Sequence, residues 1–73
     1  MSIALVCPPE ILRKVSEIGE FKPPTQMGDT FTWWSLSRHT HICRIVADVK
    51  TRELYGCDRY SRTVISLKWP ASS

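Results

Sequence analysis

Apolar residues change their spacing once along this chain, close to its midpoint. Ile11, Leu12, Val15 and Ile18 recur at three- and four-residue intervals, the period of one face of an α-helix. Arg13, Lys14 and Glu17 fall largely on the other side. The segment is also punctuated as a helix: Pro8 and Pro9 stand where missing backbone donors cost nothing, Glu10 suits the positive end of the dipole, and Gly19 can close the C-terminus. The pattern predicts a helix over about 9–18. About ten residues do not hold a helix alone in water, so its apolar stripe must pack on something. Before it, "SIALV" is a short apolar run that reads as an edge strand or an extended lead-in.

Residues 20–29, "EFKPPTQMGD", read as a loop, with a second Pro-Pro pair and a turn at "MGD". From Thr30 onward Thr, Val, Ile, Trp and Tyr dominate, and the vocabulary is that of strands. "TFTWWSLS" and "HICRIVADV" are two predicted strands. The polar joint "DVKTRE" folds the second back onto "ELYGCDRY", and "RTVISLKW" is the last, before Pro70 and a loose tail at 70–73. Consecutive strands on short turns are antiparallel neighbours as a rule. The predicted architecture is α+β: a single domain over 1–73 with one N-terminal helix packed on a three- to four-stranded antiparallel sheet made from about 30–69. No internal repeat or low-complexity segment interrupts it.

Successive strand residues point to opposite faces. Trp33 and Trp34 therefore separate, one with Phe31 and Ser35, the other with Thr32 and Leu36. A lid of four large helical apolar residues is small for three tryptophans and two tyrosines. The expectation is an aromatic cluster left at the surface, with Trp69 or a symmetric dimer as further ways to cover it. A β-bulge or a two-sided core is the alternative that buries both adjacent indoles.

Length and charge narrow the classes. Seventy-three residues make one domain, which buries only about 60% of the surface its unfolded chain exposes. Residues 1–37 carry three basic and four acidic side chains and residues 38–73 carry seven and three, so a net −1 is followed by +4. A basic half suits nucleic acid or an acidic protein surface, and equally an ordinary solvated face. No RNA-recognition, helix-turn-helix or cold-shock signature is present, and a nucleic-acid binder of this size carries a denser basic patch as a rule. The opening residues lack a basic signal-peptide region, and no apolar run reaches a membrane span. Cys7, Cys43 and Cys57 are an odd set without disulfide-framework spacing, which points to a reducing, cytoplasmic compartment.

The concentrated chemistry lies in "FTWWSLSRHTHIC", residues 31–43. His39, His41 and Cys43 alternate and would share a strand face, with Cys57 as a fourth zinc ligand if the register allows. The paired spacing usual in zinc sites is lacking, so no metal and no cofactor is assigned. Cys7, just before the helix, stands where the dipole can lower a thiol's pKa, although a capping or buried cysteine is the simpler role. His41 and Cys43 lack a third orienting group and an oxyanion donor set. The three glycines are isolated, so no phosphate loop exists either. These absences point away from an enzyme.

The function expected is a non-enzymatic protein-binding module, an inhibitor or adaptor of the kind that viral and mobile-element accessory proteins use to block a larger host machine. Trp33, Trp34, Tyr55 and Tyr60 are its candidate anchors, with Arg38, Arg59 and Arg62 as polar contacts. The alternative is a nucleic-acid-binding sheet on which the same arginines neutralise phosphates while the rings stack on bases.

Overall fold

A computed structural model describes residues 6–37 and 41–71. Its elements are α1 (Pro9–Ile18), β1 (Thr25–Met27), β2 (Thr30–Trp34), β3 (Arg44–Asp48), β4 (Glu53–Cys57) and β5 (Thr63–Leu67). The strands form one sheet in the order β1-β2-β3-β4-β5, and every neighbouring pair is antiparallel. The class is α+β, with the helix N-terminal to an antiparallel sheet. The "SIALV" run lies mostly outside the described residues.

The helix occupies the segment its periodicity indicates. Pro8 is its N-cap, and its carbonyl accepts from the Ile11 and Leu12 N–H groups at 3.0 and 3.3 Å. Gly19 N–H donates to the Val15 carbonyl at 3.2 Å and ends the helix in extended backbone. Ile11 and Val15 are buried, but Leu12 is 45% exposed. The apolar stripe on the sheet is therefore narrower than the four residues of the sequence pattern, because Leu12 sits at its margin.

Five strands replace the three or four expected. The additional one, β1, lies in the segment read as a loop. Gly28 (φ 61) and Asp29 form the two-residue connection that folds Met27 back onto Thr30, and glycine at the first such position fits a hairpin turn. Residues 20–22 continue along the same side of β2: Lys22 N–H donates to the Trp34 carbonyl (2.8 Å) and Leu36 N–H to that of Glu20 (3.1 Å). Pro23 and Pro24 interrupt this edge because neither can donate to a ladder. The prolines therefore split an edge strand rather than abolish it. β2 to β5 are each about five residues long, shorter than the runs that predict them, since the ends of those runs enter turns.

Alternation divides the sheet into two faces. Phe31, Trp33, Ile45, Ala47 and Leu54 join Cys7, Ile11 and Val15 in one buried cluster, against which Ile18, Phe21, Ile42, Val49, Leu67 and Trp69 pack. The lid is thus the helix together with Cys7 and Phe21. The Phe31 and Trp33 rings stand 6.3 Å apart at 34°. Among the described residues no helix covers the opposite face.

Candidate binding surface on the open face of the sheet

The strand register assembles the open face in rows. At one end Trp34 stands opposite Arg44, Arg44 opposite Cys57 and Cys57 opposite Thr63. The middle row is Thr32, Val46, Tyr55 and Ser66, and at the far end Thr30, Asp48 and Glu53 follow one another. The face therefore has an aromatic and basic end, a neutral centre and an acidic end.

Trp34 is 45% exposed while Trp33 is 3% exposed. Trp33 belongs to the core and is withdrawn from the contact residues, since strand alternation turns it toward α1. Arg44 lies over the Trp34 ring with its guanidinium carbon 5.3 Å from the centroid. Its Nε is buried without a hydrogen-bond partner among the described residues, so the described contact of this guanidinium is the cation–π contact with the ring. Reading the sequence missed Arg44. Its signal was its place directly opposite Trp34, which appears only once the register is known.

A hydrogen-bonded loop adjoins this end. Asp58 N–H donates to the Arg62 carbonyl (2.9 Å) and Ser61 N–H to that of Asp58 (3.0 Å). The Asp58 carboxylate accepts from the Tyr60 and Arg62 N–H groups at 2.8 and 3.0 Å. These bonds close a three-residue hairpin connection with Ser61 at φ 64, the left-handed residue such a loop requires. They also direct the negative charge of Asp58 into the loop. The tip displays Tyr60, 72% exposed, with the Arg59 guanidinium 6.0 Å from its ring centroid. Arg59 joins Ser35, Ser37 and Cys43 in lining a shallow cavity of about 340 Å³, which connects the loop to the ends of β2 and β3. Among the described residues the ion pair is Lys14 with Glu17, at 4.0 Å on the helix, and no carboxylate lies within ion-pair reach of Arg44, Arg59 or Arg62.

Of the residues singled out in the sequence, Trp34, Arg59, Tyr60 and Arg62 gather at this end. Tyr55 is half-buried in the middle row. Arg38 and His39 lie outside the described residues. His41 and Cys43 precede β3 in irregular backbone, so the shared strand face on which a zinc site depended does not form there. Cys57 pairs with Arg44 rather than Cys43, the one-residue difference that sends it to the other face. Among the described residues no three of His, Cys, Asp and Glu gather as metal ligands. No disulfide joins the cysteines.

Cys7 takes the simpler of the two roles weighed for it. The residue is 8% exposed and belongs to the core cluster. Burial first, and Glu10 second, push its pKa up, so the helix dipole does not activate it. No helix among the described residues is long and apolar enough to cross a membrane.

No protein-family model, curated protein or solved structure matches the chain.

Proposed function

We propose that the chain is a non-enzymatic protein-binding module, acting as an inhibitor or adaptor on a larger protein. The observation that carries this reading is the exposed Trp34 held under Arg44 on the uncovered face, continuous with the Tyr60 loop. A rigid, half-exposed indole costs little conformational entropy on burial, and tryptophan, tyrosine and arginine are the residues on which interface energy concentrates. Three cysteines without a disulfide fit work in the cytoplasm.

Charge favours a protein over a nucleic acid. The excess of four cations over residues 38–73 is thin for a nucleic-acid binder of this size, and Asp48 and Glu53 stand opposite each other at the far end of the face, beside Lys50 and Arg52 of the same turn. A folded partner can place a cation there and an acidic group near Arg44, Arg59 and Arg62.

Affinity capture with the tagged chain, before and after nuclease treatment, tests this. A defined protein should survive nuclease and be lost with Trp34→Ala or Tyr60→Ala, in variants whose circular dichroism is unchanged. Capture that disappears with nuclease, and a steep salt dependence that Arg59/Arg62 substitution flattens, would assign the face to nucleic acid instead. A doubled mass in light scattering, returned to the monomer by Trp34→Ala, would make the partner a second copy of the chain.

A further inference from the structure

The two edges of the sheet are protected unequally. β1 has three residues and its continuation is interrupted by Pro23 and Pro24. β5 has five, Thr63–Leu67, of which all but Leu67 are exposed. Val64 and Ile65 are 49% and 37% exposed. Strand β4 takes the hydrogen bonds on one side of β5 only, so among the described residues the backbone groups on its outer side have no strand partner. Such an edge is a template for one more strand.

Charge selects what that strand can be. Arg62 immediately precedes β5 and Lys68 immediately follows it, with Arg59 two residues beyond Ser61 in the adjoining loop. Pairing β5 with its own copy, antiparallel about Ile65 and over its full length, would set Arg62 opposite Lys68 at both ends. Like charges directly opposite are destabilising. The nearby acids do not cancel the cations: the Asp58 carboxylate is held by two loop N–H groups, and Glu53 lies on the inner strand β4 with no ion pair to Lys68.

We propose that the β5 edge binds an extended peptide segment by strand addition, and that the segment carries acidic residues at both ends of a short β-branched stretch. Main-chain hydrogen bonds supply the pairing, the apolar centre covers Val64 and Ile65, and the terminal carboxylates meet Arg62 and Lys68. This surface goes beyond the Trp34 face, shares Arg62 with its margin, and needs no contact to Trp34 itself.

The test uses the intact chain and three synthetic octapeptides with the same Val/Thr centre, flanked at both ends by Glu, Gln or Lys. Amide exchange is followed by NMR. The Glu-flanked peptide should slow outward-facing amides within Thr63–Leu67, binding at least about tenfold more tightly than the Lys-flanked one. The Arg62→Glu/Lys68→Glu variant, altered only at exposed positions, should reverse that order. Trp34→Ala should leave the β5 response intact, which separates failure here from failure of the open-face reading. Three results would overturn the proposal: unchanged exchange in β5 at millimolar Glu-flanked peptide, equal slowing by all three peptides, or slowing that needs only more of the protein itself.

Discussion

Gly56 illustrates how little space the covered side of the sheet leaves. A Cβ there would stand 2.8 Å from Ile65 Cγ2, 3.0 Å from Ile42 Cγ2 and 3.4 Å from Ile45 Cδ1. Gly56→Ala should destabilise the chain by about 1–3 kcal/mol, by the cost of overpacking, as a denaturant midpoint would show. Ser61 presents the opposite case, a side chain in a conformation that glycine adopts without strain. Ser61→Gly should stabilise the loop by up to about 1 kcal/mol and leave Tyr60 displayed. The adjacent tryptophans should respond very differently. Trp33→Ala removes a core ring and should cost about 3–5 kcal/mol, whereas Trp34→Ala should change the melting temperature little. Cys7 makes a pH prediction. Its raised pKa means that the folded chain holds the thiol proton more tightly than the unfolded chain. That contribution is intact below the ordinary thiol pKa of about 8.5 and is lost as pH rises through and beyond it. Chemical unfolding at pH 7 and pH 10 should show a fall in stability that is smaller in Cys7→Ala.

Among the elements, α1 has ten residues and depends on the sheet for its existence. Ile11 is fully buried, so Ile11→Ala should cost about 2–5 kcal/mol, a large share of the total for a domain of this size. Helical circular dichroism and the sheet's amide protection should then disappear together in one transition, because neither layer has another partner. The 11–18 segment was legible in the sequence because a period of three to four is a local signal with proline and glycine at its ends. β1 was not. Three exposed residues, Thr25–Met27, carry no burial pattern, and the prolines just before them resemble loop vocabulary. The strand exists because β2 offers an edge to pair with.

Across the whole molecule, aromatic exposure concentrates at one end of the open face. Acrylamide quenching should find a readily quenched tryptophan population that Trp34→Phe largely removes, since Trp33 is enclosed and Trp69 packs against the core. Equal quenching in wild type and variant would contradict the division of the sheet into a covered and an open face. The described cations after residue 37 divide between the two ends of the sheet. Arg44, Arg59 and Arg62 stand at or beside the Trp34 end, whereas Lys50, Arg52 and Lys68 lie near the end that holds Asp48 and Glu53.

The sequence by itself determined that a helix comes first, that strands follow, and that Trp33 and Trp34 part company, because these depend on local periods and on the pleat of a strand. It also marked Trp34, Arg59, Tyr60 and Arg62 as contact candidates. Only the tertiary structure decided which indole faces water, that Arg44 covers it, and that β5 is left as the better exposed edge. Those outcomes rest on register, and register is set by turn lengths and by the burial of one entire face. A shift of one residue would invert every assignment on a strand, and no window of neighbouring residues contains that information.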